Sequence, residues 1–310
     1  MTLTQLSYIV AVDKYRHFAT AAQKIYITQP TLSMQIQKLE DELGVLIFDR
    51  SKTPVVPTAM GEQIVKQAKQ ILSGAKHIED LVSVQGETLK GTFRVGIIPT
   101  IAPYLVPLFL KKFVETYPEV DLIFEEALTD EVLKGLNEDY YDVGIIATPI
   151  DQHFFEKDLF LEPFLGYVCT GHELAAKKEL CIDDLYKKDL WLLNEGHCFR
   201  DQTIKLCKQD NKKLNKAPIT FESGNLETLK RLVEQNFGVT LMPYLAMYDY
   251  DTSCANGVVK EFMDPVPTRK IRLVYSREFL KKNLIEGFAG VIQDSIPDEL
   301  RSQEETMVVE

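Results

Sequence analysis

Two cysteines nine positions apart, Cys198 and Cys207, carry the most reactive chemistry in this 310-residue sequence. The first stands between His197 and Phe199-Arg200. A thiol reacts as its thiolate, and a nearby cation or helix N-terminus stabilises that form. Trp191 to Leu193 read as the end of a buried strand, Asn194 to Gly196 as a turn, and Phe199 to Leu206 as the start of a helix. This reading puts Cys198 near a helix N-terminus. If 198–207 is one helix, its rise separates the two Cα atoms by roughly 13 Å. A disulfide needs Cα atoms within about 7 Å. A bond between these thiols therefore requires local structure to break, which would make it a switch. Two unrelated cysteines, one buried and one incidental, account for the same residues equally well.

The elements that must position these thiols follow an α/β rhythm. Strands are predicted at 93–98, 120–125 and 142–147, with helices at 103–117 and 131–137 between them. A second block begins with a strand at 161–169. It continues through strands at 189–193 and 219–221, a helix at 225–235 and a strand at 239–242. A strand at 269–275 then returns to the first block, followed by a helix at 279–292. Two α/β lobes joined by crossing strands suit that order. Ligands of open α/β sheets sit at the carboxyl ends of strands. Thr100, Thr129 and Cys198 each follow a strand and could face one cleft, although either threonine alone reads as a helix cap.

Composition bounds the rest. An apolar content of 45% supports packed globular structure, and the length suits two or three domains. No membrane span and no signal peptide are read, so a cytoplasmic protein without membrane contact is expected. Five cysteines is an odd number and suggests no structural disulfide framework. Cys169, Cys181 and Cys254 are read as packing residues. The net charge of −11 opposes nucleic-acid binding by the chain as a whole, but residues 1–90 hold 10 Lys+Arg against 9 Asp+Glu. The acidity lies in the remainder, so DNA binding by the N-terminal part is not excluded.

That N-terminal part has its own pattern. Leu3, Leu6, Ile9 and Val10 predict a first helix, and Phe18 to Ile25 a second. Thr28 is a good N-cap with Pro30 in the first turn. Leu32, Ile36, Leu39 and Leu43 then give one apolar face, leaving Gln29, Thr31, Ser33, Gln37 and Lys38 off it. This is a helix-turn-helix whose second helix would meet base edges in the major groove. Two short strands at 45–49 and 54–57 predict a wing tipped with Arg50 and Lys52 against the phosphate backbone. From 60 to 85 a further helix carries a heptad seam of Ile64, Ala68, Ile71, Ala75, Ile78 and Val82. That seam predicts a coiled coil, with packing on its own domain as the alternative.

Residues 15–61 resemble the DNA-binding head of LysR-type transcriptional regulators. The resemblance rests on Arg16-His17-Phe18, Ala21-Ala22, Thr28-Gln29-Pro30-Thr31-Leu32-Ser33, Lys38 to Gly44, Phe48, Arg50 and Thr58 to Gly61. It implies a winged helix-turn-helix at 1–59, a linker helix and hinge at 60–90 for dimerisation, and a two-lobed periplasmic-binding-protein-like domain at 91–300. A disordered acidic tail is expected at 301–310. Partners implied are promoter DNA, RNA polymerase and further copies of the chain, as a dimer through the linker helix and a tetramer beyond it.

The C-terminal part is similar to the hydrogen-peroxide sensors of that family. The matching stretches are Gly96 to Thr100 with Pro103 to Leu105, Glu126 to Thr129, Glu195 to Gln202 with Cys207, Phe221 to Leu229, and Arg269 to Tyr275. By this resemblance Cys198 is the peroxidatic cysteine and Cys207 the resolving one. Thr100, Thr129, His197 and Arg269 would bind and polarise peroxide, and Asp201 would assist proton movement. A reductant of the glutaredoxin or thioredoxin type would restore the thiols. The expected protein is a regulator of oxidative-stress genes and not an enzyme, with no cofactor and no metal. Two rival readings are a regulator gated by a small metabolite with inert cysteines, and a thiol peroxidase.

Overall fold

The computed structural model describes residues 1–83, 90–150, 154–185, 190–207, 223–250, 256–277, 281–301 and 306–309. Cys254 and the predicted strand at 219–221 lie outside the described residues. The chain separates into two compact units, one formed by Met1–Glu87 with Asn137–Tyr140 and the other by the remainder.

The N-terminal unit holds α1 (Leu3–Tyr15), α2 (Phe18–Lys24), α3 (Gln29–Leu43), β1 (Phe48–Asp49), β2 (Val56–Pro57) and α4 (Ala59–Ser83). Thr28 caps α3 through its hydroxyl on the Thr31 amide, with Pro30 in the first turn, as the sequence predicts. Gly44 ends the helix in the left-handed region at φ +69°, which glycine adopts without a Cβ penalty. Leu32, Ile36 and Leu39 are fully buried against Ile9, Val12 and Ala21. The wing strands pair antiparallel but are shorter than expected, two residues each. In α4 the apolar stripe divides. Val65 and Ala68 are buried in the core of this unit, with Ile64 and Leu72 packed against it. Ile71 and Ile78 remain 42% and 67% exposed, so only the later part of the heptad seam is available to another helix.

The second unit is built on one curled sheet ordered β4-β3-β5-β10-β6-β8-β7, with β9 on β6 and β11 on β10. The strands are β3 (Gly91–Ile97), β4 (Val120–Glu126), β5 (Val143–Ile146), β6 (Phe155–Cys169), β7 (Leu190–Trp191), β8 (Val239–Pro243), β9 (Gly257–Lys260), β10 (Val266–Tyr275) and β11 (Thr306–Val308). The helices are α5 (Ala102–Thr116), α6 (Thr129–Asn137), α7 (Cys198–Leu206), α8 (Leu226–Glu234), α9 (Tyr244–Met247) and α10 (Lys282–Ser295). β3 runs parallel to both β4 and β5, as expected of βαβ units. β6 is longer than the sequence suggests. Its first half pairs with β10 and its second half with β8 and β9, so it serves both lobes.

Each lobe has its own core. Phe93, Phe109, Phe113 and Phe288 meet edge to face in the first, with centroids 5.3–5.4 Å apart around Phe288. The second core gathers Phe164, Tyr167, Leu193, Phe199, Leu206 and Cys207. The expectation of a disordered tail at 301–310 is corrected over residues 306–309. β11 adds in parallel to β10, pairing Val266–Thr268 with Thr306–Val308, and Val309 is buried. A strand of three residues takes its stability from the edge it joins, and nothing local in its own sequence signals that edge.

Candidate functional site

The second lobe offers α7, which begins at Cys198 and ends beside Cys207, and both thiols are free. The helix reading holds, and a standing helix of this length separates the two Cα atoms by roughly 13 Å. The turn before it depends on Gly196, whose φ is +92° and whose missing Cβ would lie 3.0 Å from Leu128 Cδ1. A side chain there would push away the turn that carries Thr129. His197 is the N-cap residue but makes no capping bond with its side chain. Gly224 leaves room for it: a Cβ there would stand 3.1 Å from His197 Nε2 and 3.3 Å from Asn194 Oδ1.

Cys198 is 8% exposed and packs with the first lobe's core, whereas Phe199 and Cys207 belong to the second. Burial pushes the Cys198 thiol above its ordinary pKa, against the lowering effects of the Arg269 charge, the Thr129 hydroxyl and the Phe199 amide. Thr129 Oγ1 is buried, sits near the sulfur, and makes no hydrogen bond of full geometry. Cys207 is fully buried, and burial alone pushes its thiol up to about 12.

The expected cations beside Cys198 are therefore corrected. Arg200 turns back and donates through Nη1 to the Leu193 carbonyl at 2.9 Å, which pins the turn. His197 is buried, and burial lowers its pKa, so the neutral ring is favoured near pH 7. The cation whose charge favours the Cys198 thiolate is Arg269, distant in sequence on β10. Its guanidinium is 1% exposed and lies with Cζ 5.0 Å from the centre of the Phe199 ring. Nη1 donates to Thr100 Oγ1 at 2.9 Å and Nη2 to the Thr100 carbonyl at 3.0 Å. Nε donates to Glu162 Oε2 at 2.9 Å, and Nη2 meets the same oxygen at 2.8 Å. Asp201 is exposed on the first turn of α7, and its charge opposes ionisation of Cys198. Thr100, Thr129, Arg269 and Cys198 thus converge, His197 adjoins them, and Asp201 stands at the rim.

Gln202 was not singled out by the sequence. It is buried between the two cysteines, and its Nε2 donates to the Ala147 carbonyl at 2.7 Å and to the Val309 carbonyl at 2.9 Å. Of the remaining cysteines, Cys169 is buried with its thiol on Asn236 Oδ1, and Cys181 is half-buried on Asp184.

In the first unit Thr28, Gln29, Pro30, Gln37 and Lys38 are exposed, with Thr31 and Ser33 half-buried. Lys52 is exposed at the wing. Arg50 is less free than expected. It donates to Glu40 Oε2 at 2.9 Å and Ser33 Oγ at 3.0 Å and lies 5.0 Å from the centre of the Phe18 ring. Buried Glu40 in turn accepts from the Ile47 and Phe48 amides, so this pair ties α3 to the wing.

Among the described residues, no cluster of His, Cys, Asp and Glu could hold a metal, and no helix is long and apolar enough to cross a membrane. Residues 86–296 match the LysR substrate binding domain, and residues 3–62 match the bacterial regulatory helix-turn-helix protein of the lysR family. A hydrogen peroxide-inducible genes activator of Haemophilus influenzae is 34% identical over 96% of this chain and 97% of its own length. The DNA-binding transcriptional dual regulator OxyR of Escherichia coli is 36% identical over 89% of each chain. Among solved structures, a full-length OxyR variant from Pseudomonas aeruginosa superposes with a TM-score of 0.78 at 36% identity, covering 96% of this chain and 99% of that one. A peroxide-bound OxyR variant from Corynebacterium glutamicum gives 0.63 at 32% identity, covering 95% and 92%.

Proposed function

The chain belongs to the LysR family of helix-turn-helix transcriptional regulators, and on that premise we propose that it senses hydrogen peroxide through Cys198 and answers at promoter DNA. The observation that carries this reading is the convergence of Arg269, Thr100 and Thr129 on a nearly buried thiol. A second free thiol stands at the far end of the same helix. A metabolite pocket has no need of that pair, and a peroxidase has no need of the head.

The chemistry runs in two steps. Cys198 loses its proton and its thiolate attacks one peroxide oxygen. The O–O bond breaks, Cys198 becomes a sulfenic acid, and the other oxygen leaves as water after taking a proton. Thr100 accepts from Arg269, so its own hydroxyl hydrogen is free to donate to a peroxide oxygen. Thr129 and Arg269 stabilise the sulfur's charge, neutral His197 can exchange a proton, and Asp201 lies where a proton would enter or leave. Cys207 then attacks the sulfenic sulfur, a disulfide forms and water is released. Peroxide has been reduced to two waters, and the dithiol has lost two electrons. A glutaredoxin- or thioredoxin-like dithiol returns them.

Forming the bond requires α7 to come apart, because an intact helix holds the sulfurs too far apart. That refolding is the bistable element by which a redox event reaches the assembly. Ile71 and Ile78 are the seam through which two linker helices would pair, giving a dimer and, through the second unit, a tetramer. Thr28, Gln29, Pro30, Thr31, Ser33, Gln37 and Lys38 would read the major groove. Lys52 and the exposed part of Arg50 would meet phosphate. RNA polymerase is the partner through which promoter occupancy would become activation, and the cytoplasm is the compartment. Thiol mapping by mass spectrometry before and after brief peroxide exposure, with footprints of promoter DNA, tests the whole reading. Formation of a Cys198–Cys207 bond with a changed footprint supports it. Unchanged thiols at micromolar peroxide, or a C198S protein with the full footprint change, overturn it.

A further inference from the structure

Arg269 carries five N–H hydrogens, one on Nε and two on each terminal nitrogen. Three donate hydrogen bonds: Nε to Glu162 Oε2, one Nη2 hydrogen to the Thr100 carbonyl and one Nη1 hydrogen to Thr100 Oγ1, while Nη2 also lies 2.8 Å from Glu162 Oε2 in the ion pair. One Nη1 hydrogen is left without a partner among the described residues. The plane of the guanidinium, and hence the direction of that remaining hydrogen, is set by what grips the other side.

That grip is Glu162. It faces Arg269 directly across the β6–β10 ladder, at a register where the crossing strands pass between the lobes. Glu162 is fully buried. Its second oxygen is taken by the Leu245 amide at 2.9 Å, at the start of α9, so the carboxylate is itself held at both oxygens. Phe199, first residue after the sensor cysteine, closes the guanidinium's flat face and is stacked in turn on Phe164 of β6, 5.0 Å between centroids. Tyr104 of α5, which donates to Glu227 of α8, lies near enough to feel both charges of the pair.

We propose that Glu162 is the positioning residue of the peroxide site: it fixes the Arg269 guanidinium so that its unclaimed N–H and its charge are directed at Cys198 and the bound peroxide. Glu162 touches neither sulfur nor peroxide and acts only through Arg269. A buried ion pair can also be a purely structural device, so a loss of stability alone would not distinguish the two roles. The pH dependence of Cys198 oxidation does. The charged groups that act on the sulfur are Arg269 on β10 and Asp201 on α7, with His197 adjoining and Glu162 of β6 behind Arg269. Of these, Arg269 is the cation that favours the thiolate. Releasing the guanidinium removes that support, so the rate–pH profile must move to alkaline values.

This inference rests on Cys198 being the reacting thiol. The test measures the second-order rate of Cys198 oxidation by hydrogen peroxide in the full-length protein across neutral to alkaline pH, with mass spectrometry to identify the oxidised residue. E162A is expected to react roughly 10- to 100-fold more slowly, since a displaced positioning group costs that much, with its profile shifted to alkaline pH. E162Q, which keeps one acceptor oxygen for the guanidinium but sets an NH2 donor against the Leu245 amide, is expected to fall between the wild type and E162A. Folded E162A with unchanged rate and profile overturns the proposal. If E162A does not fold, E162D withdraws the acceptor by one methylene while keeping the charge. A slower, alkaline-shifted E162D supports positioning, and an unchanged E162D overturns it. If wild-type Cys198 is not oxidised at all, it is the peroxide reading that has failed.

Discussion

The two ends of α7 hold the same side chain in opposite surroundings. At the N-terminal end Cys198 sits against the first lobe's core, within reach of a guanidinium, a threonine hydroxyl and a helix N-terminal amide. At the C-terminal end Cys207 is sealed in the second lobe's core, where burial alone governs its thiol. They stand nine positions apart in two different cores. Reactivity here is therefore a property of assembled neighbours, since residue type and helix are shared. It also assigns an order: the thiol with partners reacts first, and the sealed one waits until the helix opens.

The largest effect should come from breaking the asymmetry at each end separately. C198S is expected to abolish peroxide-driven oxidation and the footprint change together. C207A should still oxidise at Cys198 but stop at the sulfenic acid, which a dimedone trap would capture. It should also unfold about 1–2 kcal/mol more easily, because a buried side chain is truncated. Equal sulfenic trapping at both cysteines of the wild type would erase the distinction.

A smaller effect sharpens the N-terminal end alone. T129V removes a buried hydroxyl that favours the Cys198 thiolate while keeping its volume. The oxidation rate, measured by stopped flow, should fall roughly 10- to 100-fold, the usual result of losing one donor aimed at developing charge. The melting temperature should barely change.

The pH dependence separates the ends again. Burial holds Cys198 above its ordinary pKa, so its oxidation rate should keep climbing through pH 8 to 9 instead of reaching a plateau near neutrality. Cys207 shows the same burial as stability. In the folded state its pKa is about 12, against about 8.5 in the unfolded chain. Above pH ~8.5 the unfolded chain loses a proton that the folded state keeps, so stability falls as pH rises toward 12. Thermal melts of wild type and C207A across that range should diverge, with the wild type losing more.

The smallest effect lies between the two ends. Gln202 gives hydrogen bonds to Ala147 and Val309. Q202A should weaken the docking of β11 by about 1 kcal/mol per lost bond. Hydrogen exchange at Val309, whose amide donates to Thr268, should accelerate with little change at Cys198 itself. Unchanged exchange would mean that β11 is held by the β10 edge alone.

Much of this arrangement was legible in the sequence where its signals are local. The Thr28 cap, Pro30 and the four-three-four spacing of Leu32, Ile36, Leu39 and Leu43 depend on neighbours within a few turns, and α3 forms where they place it. The strand-turn-helix around Cys198 is equally local. What failed was proximity. Arg200 is two residues from Cys198 yet bonds Leu193, because its position on the helix turns it back over the preceding turn. The Arg269 charge acts on the Cys198 thiol because β10 crosses between the lobes, and only the family resemblance had named it. Glu162 and Glu40 carry no sequence signal, since a buried carboxylate is recognised by the partner that the fold brings to it. The division of the α4 stripe has the same cause: α1 covers Val65 and Ala68 before another chain could.

Gln202 fastens the end of β5 and the last described strand to a helix that a disulfide cannot leave standing. Whatever dismantles that helix also unties a segment far along the chain, a short strand laid beside β10. A fluorophore placed beside Val309 would then report the oxidation state of two sulfurs it never touches.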